Sequence, residues 1–299
     1  MEIAWFFFAI AATIIWSVSA VILKFVRVNY IKSTIGYLII TAPVTLFSLA
    51  LLFFGKFNLP SLKMILLILV SAGLGIMTFW FYLESIHKEE VSRVTTFFGL
   101  SPLIVLILST IFLKEVLTLK DYLAFPLIIT GSMLISIKKV DERFALSTGM
   151  IMALFSIIFL GIQNIILKII SEVDFVSMML VREALFLGIF SSLFIFSRSI
   201  RKKTKEDLKQ LNVKKMVLIY ASECAGIIGM VFSYIAIQKG PVSLVSLIEG
   251  TESLFVIVFV VLISVFLPKI LKEEITKKTI TLKIISALLM IGGLYLITI

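Results

Sequence analysis

The chain has 299 residues, 60% hydrophobic and 15% charged, with a mean hydropathy of +1.15, where soluble domains carry about 45–50% apolar and about 25% charged residues. That composition cannot clothe a water-facing surface, so a soluble globular protein is excluded. A single Cys (Cys224) and a single His (His87) exclude a disulfide scaffold and a His/Cys metal cluster, and the formal charge of +10 reads as basic loops beside membrane spans, not as a nucleic-acid surface.

A hydrocarbon core about 30 Å thick takes about 20 apolar residues per helix, and backbone polar groups in lipid allow only helices or closed barrels. The apolar runs decide for helices. Ten spans are predicted at 3–23, 33–54, 61–83, 92–113, 120–137, 148–167, 176–197, 216–237, 242–267 and 281–299. The first run has no basic residue ahead of it and ends in Ile22-Leu23-Lys24 without a small-residue cleavage site, which predicts a retained helix instead of a signal peptide. Pro43, Pro102 and Pro126 fall inside predicted spans, where each removes a backbone hydrogen bond and is expected to open a kink or hinge. Connections are short except for a polar stretch from Arg198 to Lys215, read as a loop whose bases set topology and meet lipid headgroups. Odd-numbered loops hold 21 Lys and Arg and even-numbered loops 6, which predicts cytoplasmic odd loops and both termini outside.

The chain repeats itself. Ile22-Leu23-Lys24 recurs as Ile166-Leu167-Lys168, and His87-Lys88-Glu89-Glu90-Val91-Ser92 as Gln238-Lys239-Gly240-Pro241-Val242-Ser243. At the latter offset Gly99-Leu100-Ser101-Pro102-Leu103 faces Gly250-Thr251-Glu252-Ser253-Leu254. Phe112 to Thr118 then faces Ile270 to Thr276 after a seven-residue insertion, and Gly131 matches Gly292. Matches in the same order predict an all-α polytopic protein with two five-helix halves, 1–140 and 141–299. An odd helix number inverts the second half in the membrane. Inverted halves commonly hold a substrate at the bilayer midplane between them, so this architecture predicts a transporter.

Pro102, Lys114-Glu115-Val116-Leu117-Thr118 and Gly131, repeated as Lys272-Glu273-Glu274-Ile275-Thr276 and Gly292, resemble the EamA family of the drug/metabolite transporter superfamily. The resemblance implies ten helices in two inverted repeats and secondary transport, often export, of amino acids or other small metabolites, commonly proton-coupled. It also implies cytoplasmic termini, opposite to the charge count. The chain departs from the family pattern at Ser253, where a proline is expected, and at the insertion.

A charge at the bilayer centre costs about 2.5–3.5 kcal/mol on insertion scales, so every such residue is a candidate. Glu249 and Glu252, three apart on one helix face, form a carboxylate pair of the kind that proton coupling or amine binding requires, or else a bonded pair closing the cavity. Glu223 stands beside Cys224 and joins the same candidate cavity. Arg182 and Glu183 diverge by about 100° around a helix, which predicts that Arg182 pairs with Glu223 or Glu249 on a neighbouring helix, as a structural ion pair or an anion receptor. Lys24 and Lys168 are expected to snorkel towards headgroups. Gln163 and Asn164 are candidates to hydrogen-bond a substrate or bridge helices, and Trp16, Trp80, Tyr82 and Tyr234 to line the cavity wall or pack in an interfacial belt.

Enzyme chemistry is not expected. Asp121, Asp141, Asp174 and Asp207 sit at helix ends or loops, His87 lies at a helix boundary, and there is no phosphate-cradling loop. The expectation is therefore a multi-pass cell-membrane carrier without cofactor or metal, whose partners are a small-molecule substrate, protons and membrane lipids, with no nucleic acid. Monomer and homodimer both stay open, and the alternative is a channel or a receptor-like binder of a small amphipathic ligand without coupled transport.

Overall fold

The computed structural model describes residues 4–31, 33–88, 94, 98–136, 147–256, 258–259 and 277–298, and every regular element among them is helical. In chain order these are α1 (Ala4–Asn29), α2 (Thr34–Thr41) continuing as a 3₁₀ helix (Ala42–Phe53), α3 (Leu62–Lys88), α4 (Ser101–Leu108) ending in a π turn (Ser109–Leu113), and α5 (Leu119–Ser136). The second half has α6 (Thr148–Ile169), α7 (Phe175–Phe196), α8 (Arg198–Lys209), α9 (Val213–Lys239), α10 (Val242–Glu249) and α11 (Lys277–Thr298). Seven described segments, in α1, α2 with its 3₁₀ extension, α3, α6, α7, α9 and α11, are long and apolar enough to cross a membrane. The spans expected at 3–23, 92–113, 120–137, 242–267 and 281–299, the boundary at 140/141 and Lys272 to Thr276 lie partly or wholly outside the described residues.

Local chemistry explains the element ends. Ser33, Ser147, Asp174 and Asn212 each accept a backbone N–H bond at the start of α2, α6, α7 and α9, which satisfies one of the orphan donors there. Pro43 has no N–H to continue the α ladder, and at this point α2 tightens into the 3₁₀ helix. Pro126 lies inside α5 as expected. Pro102 is different: it occupies the first turn of α4, where a missing N–H breaks nothing, so it marks a helix start and not a kink.

The expected loop from Arg198 to Lys215 is corrected. It contains α8, capped by Ser197, with Thr204 buried and Ile200 and Leu211 packed against the cluster of Leu38, Phe190 and Ile219. Six lysines and arginines within α8 hide that inward stripe from a reading by charge.

Three helix pairs dominate the packing: α1 with α9, α3 with α6, and α5 with α11. All three are antiparallel. Phe8 meets Phe232, Trp16 meets Gly226 and Ser19 meets Ser222. Phe81 meets Phe155, Thr78 meets Ser156 and Gly75 meets Gln163. Gly131 lies against Met290, and Gly293 against Ile128. Under the sequence repeat, α1–α9 and α6–α3 are counterparts, while α5–α11, α4–α10 and the 3₁₀ segment with α7 are pairs of equivalent elements. The packing is thus two-fold in pattern.

Candidate functional site

Two helices are interrupted at equivalent positions. The chain turns at Gly99–Leu100 just before α4 and at Gly250–Thr251 just after α10, and residues 252–256 are helical again. The interruptions touch, because Gly250 packs directly on Pro102 and a Cβ there would lie 2.8 Å from its ring. Interrupted helices at matching points of two repeats free backbone polar groups inside the membrane, and transporter sites are commonly built at such places. Only the second copy carries acids: Glu249 and Glu252 flank its break, where the first copy has Phe98 and Ser101.

Glu249 accepts a hydrogen bond from the Ser233 hydroxyl of α9 at 2.6 Å. Glu252 lies within electrostatic reach of Glu249 and of Tyr82 on α3. Ten residues before Ser233, about 15 Å along the same helix at 1.5 Å per residue, Glu223 accepts a hydrogen bond from the Tyr37 hydroxyl of α2. A row of rings joins the two stations: Tyr37 to Phe79 at 6.3 Å, Phe79 to Tyr82 at 6.4 Å, and Tyr82 to Phe98 at 5.1 Å. Glu223, Glu249 and Glu252 are half-buried among the helices. Among the described residues none of the three has a lysine or arginine partner. Uncompensated carboxylates in a low dielectric hold a proton or a cation in preference to a bare charge.

Arg182 does not pair with Glu223 or Glu249. It forms an ion pair with its sequence neighbour Glu183, because long flexible side chains bend across the angle that separates their Cα–Cβ bonds. Glu183 lies within electrostatic reach of Glu223 on α9. Tyr234 does not line a cavity: it is fully buried, and its hydroxyl proton is shared between the Ile170 and Val173 carbonyls at 2.9 and 3.0 Å. Trp16 donates from Nε1 to the Gly226 carbonyl at 3.2 Å and packs on Gly229, so it joins α1 to α9. Trp80 packs with the Leu38 cluster. Gln163 and Asn164 are buried in α6, with Gln163 over Gly75, and neither makes a hydrogen bond among the described residues.

Tyr37 and Ser233, the direct partners of the acids, have no local sequence signal, since each comes from another helix. Arg27 supports Tyr37: it is buried, donates to the Ile31 carbonyl and Thr34 Oγ1 at 3.0 Å each, and stands 5.8 Å over the Tyr37 ring.

The turn from α9 to α10 is held from several sides. Lys168 does not snorkel; its ammonium donates to the Ile237 and Gly240 carbonyls at 2.8 and 2.7 Å, at the electronegative end of α9. Gln238 donates to Ser171 and Val173 carbonyls. Glu115, which follows α4, accepts from the Val242 and Ser243 backbone N–H groups and the Ser243 hydroxyl at the start of α10. Lys114 makes that reach possible by turning the chain in the left-handed region (φ 54°).

No group of three His, Cys, Asp or Glu among the described residues is placed to hold a metal ion. None of the curated proteins compared with the sequence matches it. Among 28 solved chains that match in fold, one crystal structure, described only as that of a protein, superposes with a TM-score of 0.72 at 13% identity, covering 100% of this chain and 97% of that one. That likeness concerns the fold alone. The profile of the EamA-like transporter family matches residues 3–137 and 147–299. With two matched halves, membrane-length helices and interruptions that meet, the chain belongs to the EamA-like transporter family, as an integral membrane protein built from two repeats.

Proposed function

We propose that the protein is a secondary active carrier, an exporter of small amine-bearing metabolites with amino acids among them, working by alternating access between two inverted five-helix halves, 1–140 and 141–299, in the cell membrane. The observation that carries this reading is the set of three carboxylates, Glu223, Glu249 and Glu252, beside interrupted helices and without a cationic partner among the described residues. Such groups attract an ammonium group or a proton, and competition between the two for one carboxylate couples their movements. Glu249 is the proposed coupling group, oriented by Ser233. Tyr82 and the neighbouring rings supply faces for a cation. A substrate's carboxylate is less well provided for, because Arg182 is engaged by Glu183.

Counterflow in proteoliposomes tests this, with labelled amino acids and small organic cations, with and without a pH gradient. Saturable counterflow is expected in the wild type, and Glu249→Gln is expected to keep exchange and lose accumulation driven by the gradient. Non-saturable flux would indicate a channel, binding without flux a receptor, and equal gradient-driven accumulation in Glu249→Gln would remove Glu249 from the coupling role.

A further inference from the structure

Beside α8 the surface changes character. The single inward-facing acid, Asp207, turns to the start of α2, where it lies against Gly36, and leaves the outward face to bases. Arg198, Lys202, Lys203, Lys205 and Lys209 are all exposed, opposed only by Glu206. Thr204 on the opposite face is buried, so α8 lies against the helical body and does not project from it.

An apolar groove opens at each end of this basic helix. One, of about 700 Å³, runs along α7 past Gly188 and Ser192 to Phe196 and Ser197, where α8 begins. The other, of about 490 Å³, starts at Leu211 just after α8 and runs along α9 past Val213, Val217 and Tyr220 to Cys224. Both are shallow and open along one side. Phe196 and Val213, at the two mouths, are exposed by 85% and 78%. Apolar side chains so exposed beside a row of ammonium groups match the boundary between acyl chains and headgroups.

We propose that α8 and its two flanking grooves bind anionic phospholipid, one molecule at each end, with the phosphate on the nearby α8 bases and both acyl chains in the adjoining groove of α7 or α9. The charge on α8 selects the headgroup, because a zwitterionic phosphate brings its own cation and an anionic one does not. The grooves require the chains, which sets the lipid apart from free phosphate. The inference stands apart from the transport reading, since it uses none of the three site carboxylates.

The test is a thermal-stability titration of the full-length protein in detergent micelles with phosphatidylglycerol, phosphatidylcholine of the same chains, and glycerol phosphate. Phosphatidylglycerol is expected to act at about tenfold lower concentration than phosphatidylcholine, and glycerol phosphate to give no shift. The quadruple variant Lys202→Gln, Lys203→Gln, Lys205→Gln, Lys209→Gln should respond to both lipids alike. Gly188→Leu, introduced where a Cβ meets nothing within 4 Å, should fill the α7 groove and weaken the response to both. Equal responses of the wild type to the two lipids, a preference for phosphatidylglycerol retained in the quadruple variant, or a shift by glycerol phosphate matching the lipid would each overturn the proposal.

Discussion

The α1–α9 pair and its counterpart α3–α6 meet along equivalent antiparallel seams, but their polar groups are spent differently. Superposing Ile22-Leu23-Lys24 on Ile166-Leu167-Lys168 places Ser19 on Gln163, and superposing Val91-Ser92 on Val242-Ser243 places Ser71 on Ser222. Across α1–α9, Ser19 and Ser222 bond each other's carbonyls at 3.0 and 3.1 Å, and Trp16 adds a third bond. Across α3–α6 the equivalent Ser71 hydroxyl has no partner, Gln163 makes no bond among the described residues, and the Thr78 hydroxyl is also unpaired. Among the described residues only Ser156 bridges, to the Thr78 carbonyl at 2.7 Å. Duplication preserved the shape of the contact and let its bonding diverge, so separating α3 from α6 breaks fewer hydrogen bonds than separating α1 from α9.

The sharpest way to break the comparison is to crowd both seams. A Cβ at Gly229 would lie 2.5 Å from the rigid Trp16 indole, whereas one at Gly75 would lie 2.9 Å from the flexible amide end of Gln163. Gly229→Val is expected to cost about 2–3 kcal/mol, and Gly75→Val clearly less, in unfolding measured in mixed micelles; equal losses would contradict the difference. Next in size is removal of the hydroxyls. Ser222→Ala should lose about 1 kcal/mol, within the range for interhelical bonds in membranes, while Ser71→Ala loses no partner and should match or exceed wild-type stability. In a Cys224→Ser background, Ser71→Cys is expected to react with a maleimide several-fold faster than Ser222→Cys, and the reverse order would place the looser seam on the other side. The smallest effect concerns Lys114, whose left-handed backbone costs about 1 kcal/mol in a non-glycine residue. Lys114→Gly should be neutral or slightly stabilising by the same unfolding assay.

Composition and periodicity made the membrane class, the repeat and the three acids legible, because a bilayer penalises charge so steeply that Glu223, Glu249 and Glu252 stand out in a string of Leu and Ile. The partners of those acids were not legible. Tyr37 reaches Glu223 from 186 positions away, and nothing local marks it. Cα–Cβ directions point Arg182 towards another helix, but they say little about where a guanidinium on a long flexible stem ends. Tyr234 groups with Tyr82 as a candidate wall residue, but the superposition of Val91-Ser92 on Val242-Ser243 matches Tyr82 to Ser233 and Tyr234 to Leu83, about 100° further round the helix, and its hydroxyl serves the end of α6. The basic face of α8 concealed a helix for a related reason: an inward stripe led by Ile200 and Thr204 carries little hydrophobic signal until the body it packs against is known.

The fastened turn ahead of α10 also makes that helix a lever. Glu115 and Lys168 pin the chain around Val242, while the far end, at Glu249 and the Gly250–Thr251 break, has lost the continuity of the helix. From Val242 to Glu249 the arm is about 10 Å at 1.5 Å per residue. A tilt of about 10° about the pinned end therefore sweeps the carboxylate through about 2 Å, the difference between a hydrogen bond made and one broken. On the transport reading proposed above, the turn would act as fulcrum and the acid as load, and a small rotation at the turn would change the partner of Glu249.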